Sequence, residues 1–293
     1  MDLDLKGRDQ VADWIECVLL AGEHGHLGVG QLQSVADSNF SIEEAQVALA
    51  VEAMKRRARW IGDAYPFEIG DGYVKLHAEA AKSPYASMLM MTPWSPADQC
   101  LDRSTEEFQT MAVWFERLTA RSVEALMGPE SKSLRFGYPG ELGRPSNFQE
   151  AIVWLAERLQ VEPGEDYKPP QRNDGGADVI GWRPFPDQRS GMLLLLVQCT
   201  LQRELMSKTA DIKIAHWQGW LKLRTPPISV LAIPGNVTGF EKWEELASQA
   251  TVLDRTRIAG LIPPGSLSDD FADLWDLTRD RIARLAGFLD ESA

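Results

Sequence analysis

The sequence predicts an α/β protein whose C-terminal part holds a mixed central sheet flanked by helices. Two strand-like runs, 177–182 and 192–197, are joined by a turn rich in proline and glycine. The second run is continuously apolar, which is typical of a central strand that is buried on both faces. A third strand-like run, 228–233, is followed by a helical stretch. Helices that alternate with strands in this way favour the α/β class.

The N-terminal part is mainly helical. Apolar residues recur at helical spacing over 9–21, and a short helix is expected over 29–36. A third helix is expected to begin at Ser41, with Glu44 three residues later as the second half of a capping box. The segment 65–76 contains two short alternating runs around a Gly-Asp-Gly turn, which predicts a β-hairpin. Three helices followed by a hairpin predict a winged-helix-like domain.

The third helix of this domain has two interpretations. In the first, it enters the major groove of DNA. Glu43 and Glu44 on its leading face would repel phosphate, and its basic residues, 55–57 and Arg59, lie near the other end. In the second, the domain makes protein contacts or serves as a scaffold. We favour the second interpretation because of the acidic leading face.

Residues 83–127 are expected to be helical, and Gly128-Pro129 ends this region. We therefore predict three parts: a winged-helix-like domain at 1–82, a helical connector at 83–130 and an α/β domain at 131–293. Two apolar stripes are predicted to be core, one in the connector and one on the first helix of the α/β domain: Phe108, Met111, Phe115 and Leu118, then Phe148, Ile152, Leu155 and Leu159.

Composition limits the possible functions. The chain has 293 residues, of which 44% are hydrophobic and 25% charged, so wholesale disorder is not expected. No uncharged apolar run reaches the length of about 18 residues that a membrane span needs. Three scattered cysteines fit a reducing compartment, and we expect a cytosolic protein. Its net charge is −13, whereas proteins that bind DNA strongly carry a positively charged surface. An acidic metal site, or a partner that binds the nucleic acid, would fit this charge.

A set of polar residues lies around the two C-terminal strands. Asp178 is a candidate metal ligand in the first strand, and Gln198 ends the second. Adjacent strands lie about 4.8 Å apart, so the Gln198 amide oxygen and the Cys199 backbone carbonyl are candidate ligands of the same Mg²⁺ or Mn²⁺. Lys208 is the candidate catalytic cation, and Glu150 on the preceding helix is an auxiliary carboxylate. Phosphodiester hydrolysis needs a metal-activated water and a cation for the phosphate charge.

These residues carry a resemblance to a known family. The run GGADVIGW around Asp178, then LLLLVQC ending in Gln198-Cys199, then Lys208, resembles the PD-(D/E)xK, or restriction-endonuclease-like, nucleases. The resemblance is closest to the branch in which glutamine replaces the second-strand acid, as in Mrr-like and anti-phage effector nucleases. It covers about 136–260. The chain departs from the pattern at Thr200, where the family places its lysine, and Lys208 resembles a lysine that has moved onto the following helix.

The resemblance implies a metal-dependent nuclease that acts on DNA in prokaryotic defence, with a partner protein or a second copy of the chain. The alternative is a degenerate nuclease fold that acts as a binding or scaffold subunit, which Thr200 and the acidic charge favour. Each site residue also has a structural interpretation: Asp178 as a turn residue, Gln198 as a strand end and Lys208 as a solvated lysine. Asp174 is either a further ligand or an ordinary turn residue beside two glycines. Glu150 and Glu157 are equal candidates for an ordinary exposed helix face. Nucleotide-binding GxxxxGK[ST] and hydrolase GxSxG motifs are absent.

Overall fold

The computed structural model describes residues 7–22, 25–28, 30–32, 42–93, 102–169, 174–187, 189, 191–202, 204–267 and 269–292. Its helices are α1 (Arg8–Ala21), α2 (Glu44–Ile61), α3 (Pro84–Met90), α4 (Glu106–Met127), α5 (Phe148–Leu159), α6 (Met206–Thr209), α7 (Ile214–Trp220), α8 (Phe240–Ala247), α9 (Arg255–Leu261) and α10 (Ala272–Ser292). Its strands are β1 (His26–Gly28), β2 (Phe67–Gly70), β3 (Tyr73–Leu76), β4 (Lys132–Arg135), β5 (Val179–Arg183), β6 (Leu193–Cys199), β7 (Ile228–Ala232) and β8 (Thr251–Leu253).

The chain folds into two compact units that are not continuous in sequence. Unit 1 contains Met1–Phe108, Pro234–Thr238 and Asp254–Ala293, and unit 2 contains Gln109–Ile233 and Gly239–Leu253. This division differs from the predicted boundaries at 82 and 130. The difference arises because α10, at the end of the chain, packs against α1 and α3 of unit 1. Predicting that return needs tertiary contacts, which local sequence patterns do not encode.

Unit 1 contains a three-stranded antiparallel sheet in the order β1-β3-β2. The predicted hairpin is confirmed, because β2 pairs with β3 across a turn at Asp71-Gly72, where Gly72 has a φ of 85°. Such a positive φ is readily adopted by glycine. The helix α2 begins at Glu44, and its N-cap is Glu43, which forms a capping box with Gln46. The predicted cap Ser41 lies outside the described residues, and the capping box of α2 is formed by Glu43 and Gln46 and does not include Glu44.

Buried charges join the segments of unit 1. The Arg57 guanidinium lies 2.7 Å from Asp13 Oδ1 and 2.8 Å from Glu16 Oε1. Arg255 pairs with both carboxylate oxygens of Asp13, at 2.9 and 3.1 Å. Tyr65 donates a hydrogen bond of 2.6 Å to Glu16. Burial raises the pKa of Glu16, and its donors, which include Arg57 and Tyr65, satisfy the carboxylate inside the core. The helices α1, α2 and α9 are therefore linked through side chains that are costly to leave unpaired.

Unit 2 is built on a five-stranded mixed sheet in the order β4-β5-β6-β7-β8. The first three strands are antiparallel, and β6-β7 and β7-β8 pair in parallel. The predicted mixed sheet is confirmed, with the apolar strand β6 at its centre. The strand β4 was not predicted, because its Lys-Ser-Leu-Arg sequence lacks an apolar run and it lies at the sheet edge.

The predicted apolar positions of two helices are buried. Phe148, Ile152, Leu155 and Leu159 of α5 are all buried, as are Phe108, Met111, Phe115 and Leu118 of α4. Both predicted stripes are confirmed as core. Trp217 and Trp220 of α7 pack edge-to-face against each other and against Phe136 and Phe148, which anchors this short helix in the core. Among the described helices, none combines the length and apolar character that a membrane crossing requires.

Candidate functional site

Asp178 lies immediately before β5, and its backbone is held from two sides. Its N–H donates to the Val197 carbonyl of β6, at 2.8 Å. Its own carbonyl accepts from Phe136 N and Gly137 N, at 2.6 and 2.9 Å. The residue is therefore fixed between the central strand and the segment after β4. With 9% of its surface exposed, the Asp178 carboxyl group has little contact with solvent.

The structure brings the three predicted metal ligands together at the C-terminal end of β6. Asp178 Oδ2 accepts hydrogen bonds from Cys199 N and Gln198 Nε2, both at 2.7 Å. Gln198 Nε2 also donates to the Cys199 carbonyl oxygen, at 2.9 Å. The amide nitrogen therefore lies between a carboxylate oxygen and a carbonyl oxygen. The atom of Gln198 that faces these two oxygens is therefore the amide nitrogen, and not the amide oxygen that was predicted to bind the metal.

Two further carboxylates influence Asp178. Burial, together with the negative charges of Glu116 and Asp174, raises the pKa of Asp178 well above its ordinary value. Burial also raises the pKa of Glu116 to about 7, although Arg135 opposes the shift from 2.5 Å away. Three acidic side chains with one close arginine make an environment that favours an additional cation.

Sequence reasoning missed Glu116. It belongs to α4, whose apolar stripe was interpreted as core, and its side chain is only 12% exposed. The signal was a carboxylate directly beside the buried Phe115. A largely buried acid needs a partner or a function. Only the fold showed that Asp178 is one of its neighbours.

Two glycines bring another segment close to Asp178. Gly175 and Gly176 have φ angles of 65° and 84°. A Cβ atom on Gly176 would lie 2.4 Å from the Asp211 carbonyl oxygen, so only glycine permits this approach. Asp174 caps the turn, since its Oδ1 accepts the Gly176 N–H at 2.8 Å. The predicted turn role of Asp174 is confirmed, and its charge still acts on Asp178.

The closely packed segment forms one wall of an open cavity. The cavity has a volume of about 560 Å³ and is lined by polar residues of the strand ends and of the segment around α6: Asp174, Gly176, Asp178, Gln198, Lys208, Ala210, Asp211 and Lys213. Lys208, the predicted catalytic lysine, is one of these residues. Its ammonium group pairs with Asp211 Oδ2 at 2.7 Å. Lys213, which the sequence analysis did not select, is exposed on the same cavity.

Glu150 does not line this cavity. It is exposed in the first turn of α5, where Asn147 caps its backbone N–H at 3.2 Å. The alternative carboxylate, Glu157, is exposed on the same helix. Thr200 occupies the family's lysine position and is buried, and its hydroxyl accepts the Gln202 N–H at 3.1 Å. The auxiliary role predicted for Glu150 therefore has no geometric support, and the carboxylates that influence Asp178 are Glu116 and Asp174.

The described residues around Asp178 offer a metal ion individual oxygen atoms and no cluster of ligating side chains. Within the described ranges, no three histidine, cysteine, aspartate or glutamate side chains are grouped closely enough to hold one. The oxygens that do converge, Asp178 Oδ2 and the Cys199 carbonyl, lie within hydrogen-bond distance of one point, the Gln198 amide nitrogen. They are hard ligands of the kind that Mg²⁺ and Mn²⁺ prefer, with water and phosphate completing the shell. Asp178 and the Cys199 carbonyl are therefore the groups that would hold such a cation.

Comparison with protein-family models, with curated proteins and with solved structures finds no match to this chain.

Proposed function

We propose that the protein is a Mg²⁺- or Mn²⁺-dependent nuclease of restriction-endonuclease-like fold that hydrolyses phosphodiester bonds in DNA. The observation that carries the proposal is the convergence of Asp178 Oδ2 and the Cys199 carbonyl oxygen on one point at the edge of a polar cavity. The Gln198 amide nitrogen lies at this point and donates hydrogen bonds to both oxygens. A divalent cation would compete with this nitrogen for the same two oxygens.

The fold supports this proposal. Asp178 immediately precedes β5, and Gln198 belongs to the neighbouring antiparallel strand β6 of a mixed sheet. This arrangement is in keeping with the family resemblance. In unit 1, α1, the helical residues 30–32 and α2 precede the β2-β3 hairpin, in keeping with a winged-helix-like domain. The resemblance further suggests a prokaryotic anti-phage effector, with a partner protein or second copy contributing to DNA binding.

The chain's own residues would divide the chemistry as follows. Asp178 and the Cys199 carbonyl hold the cation, and Glu116 and Asp174 add negative charge that favours its binding. When bound, the ion supplies a Lewis acid that polarises a phosphate oxygen and lowers the pKa of a water. Arg135 positions Glu116 by pairing with it. Cation binding would also relieve the carboxylate repulsion that helps to raise the pKa of Asp178.

A second candidate function keeps the fold without the chemistry. Thr200 is buried in the position where the family has lysine, and Lys208 is paired with Asp211. The net charge of −13 gives no general attraction for nucleic acid. These observations favour a binding or scaffold subunit of a defence complex, whose acidic surface would contact a basic partner.

Plasmid cleavage by the purified protein with Mn²⁺ tests the proposal. We expect Asp178→Ala to abolish cleavage and to weaken Mn²⁺ binding in calorimetry, because it removes the only carboxylate among the proposed ligands. Glu150→Ala is the matched control, since that exposed carboxylate does not line the cavity. We expect Glu150→Ala to cleave at the wild-type rate.

Cleavage by Asp178→Ala at the wild-type rate would contradict the site assignment. A wild-type protein that binds Mn²⁺ without cutting plasmid, linear duplex or single-stranded DNA would support the scaffold function instead.

A further inference from the structure

Two lysines line the cavity beside Asp178, and they differ in how their charge is used. Lys208 belongs to the single-turn helix α6, and its Nζ lies 2.7 Å from Asp211 Oδ2. Its side chain is 24% exposed, and that of Asp211 is 37% exposed. A lysine paired in this way has its charge compensated within the protein. For Lys208 to bind a phosphate, the ion pair with Asp211 would first have to break.

Lys213 has no such partner. In the described part of the chain it makes no ion pair and no side-chain hydrogen bond, and it is exposed on the same cavity. Its position is nevertheless well defined by its neighbours. The Lys213 carbonyl accepts the first backbone hydrogen bonds of α7, from His216 N and Trp217 N at 2.9 and 3.2 Å. A long cationic side chain on a fixed backbone can therefore extend into the cavity.

The helix α7 ties Lys213 to the Asp178 region. Trp217 is completely buried, and its Nε1 donates to the Gly175 carbonyl at 3.3 Å. The Asp211 backbone packs so closely against Gly176 that a Cβ atom on Gly176 would clash with it. Lys213 is thus anchored on both sides to the turn that leads into Asp178.

We propose that Lys213, rather than Lys208, is the cationic residue that contacts the phosphate of the substrate in this cavity. The proposal rests on the nuclease function above and adds a substrate-binding residue to it. The carboxylates of Asp174, Asp178 and Asp211 outnumber the two lysines of the lining. An anionic phosphate therefore needs the bound divalent ion together with an uncompensated cation, and Lys213 is a cavity cation not committed to an ion pair among the described residues.

The test compares Lys213→Ala, Lys213→Arg and Lys208→Ala in two assays. The first measures kcat and KM for Mn²⁺-dependent cleavage. The second measures the anisotropy of a short fluorescent single-stranded DNA in Ca²⁺ at several salt concentrations. We expect Lys213→Ala to lower kcat/KM about tenfold, the loss typical of one charge-assisted contact. We expect it to reduce the slope of log affinity against log salt concentration by about one, which corresponds to the loss of one phosphate contact. Lys213→Arg should retain most of both, and Lys208→Ala should change kcat/KM less than threefold.

The salt slope separates a lost phosphate contact from a folding defect, because a partly unfolded sample binds less DNA without changing the slope. A larger loss of kcat/KM in Lys208→Ala than in Lys213→Ala would overturn the proposal. So would a wild-type salt slope in Lys213→Ala. If the wild-type protein binds DNA but does not cleave it, the nuclease function fails, and the salt slope alone still decides the role of Lys213. If it neither binds nor cleaves DNA, both proposals are wrong.

Discussion

At the residue scale, the cavity depends on two glycines, Gly175 and Gly176, which have no side chains. Gly176 has a φ of 84°, and the Asp211 carbonyl oxygen lies only 2.4 Å from the position that a Cβ atom would take. This close approach carries Lys208 and Lys213 to the same cavity as Asp178. A glycine pair in a polar loop is an ordinary turn signal. What it achieves here is contact between two segments that lie more than 30 residues apart.

Gly176→Ala should therefore destabilise unit 2 and impair the site. The substitution incurs the strain of a positive φ. It also brings the new Cβ atom into a clash with the Asp211 backbone, which cannot move away by changing rotamer as a side chain could. We expect a loss of about 1–3 kcal/mol in the free energy of unfolding, together with weaker Mn²⁺-dependent cleavage. Urea denaturation and the plasmid assay measure the two effects.

Gly191→Ala is the matched control. Gly191 also has a positive φ, of 102°, but nothing lies within 4 Å of its Cβ position. Gly191→Ala therefore incurs the strain of a positive φ without a steric clash. Equal losses in the two variants would show that the close approach to Asp211 contributes nothing.

At the element scale, the last helix is attached to unit 1 by charge as well as by packing. Arg284 pairs with both oxygens of Glu107, at 2.5 and 3.0 Å, and the buried Arg281 pairs with Glu107 at 2.5 Å. Arg281 also donates to the Met90 carbonyl of α3. These contacts are of the charge-assisted, two-oxygen kind. Hydrogen bonds from Arg284 and Arg281, opposed by burial, lower the pKa of Glu107 to about 2.

This carboxylate should make unit 1 sensitive to acid. A depressed pKa means that the stabilisation is fully present above the ordinary glutamate pKa and is lost as the pH falls towards 2. We expect the free energy of unfolding to decline between about pH 4.5 and pH 2, and Glu107→Gln to flatten that part of the profile. Urea titrations at several pH values measure it.

Glu106→Gln is the control, because Glu106 lies in the same helical turn but is exposed and forms no ion pair among the described residues. Its profile should follow that of the wild-type protein. An unchanged acid limb in Glu107→Gln would show that other carboxylates control the decline.

At the scale of the whole molecule, the chain order and the folded units do not coincide. The chain leaves unit 1 after Phe108 and forms most of unit 2. It returns to unit 1 first at Pro234–Thr238 and again from Asp254 onwards. The return is made by Arg255, which is completely buried and bonds both Asp13 and the Pro234 carbonyl. Unit 1 is therefore complete only when the C-terminal segment is present.

Arg255→Ala should be among the most damaging substitutions in the protein. It leaves Asp13 and the buried Glu16 with Arg57 as their remaining close arginine. Removing one partner of a buried ion pair typically costs about 3–5 kcal/mol. Arg257→Ala, which alters an exposed arginine of the same helix, should cost less than about 1 kcal/mol. Thermal and urea unfolding compare them, and similar losses would contradict the role given to Arg255.

Much of the secondary structure followed from the sequence alone. The periodicity of α5 identified its buried face, and the apolar run of β6 identified the central strand. These predictions succeed because side-chain alternation is a local property of helices and strands. The strand β4 escaped because charged and polar residues at a sheet edge carry no such pattern. Glu116 was not predicted, because a single carboxylate in α4 leaves the helical spacing of the apolar residues unchanged.

By itself, the sequence determined that the protein is α/β and that Asp178 and Gln198 lie in two successive strand-like segments, with Asp178 immediately before β5. Only the tertiary structure decided which carboxylates influence Asp178, which lysine is already paired, and that the final helix belongs with the first. The physical reason is range. Hydrophobic periodicity acts over one helix or strand, whereas desolvation, ion pairing and the contact at Gly176 arise between segments that only folding brings together.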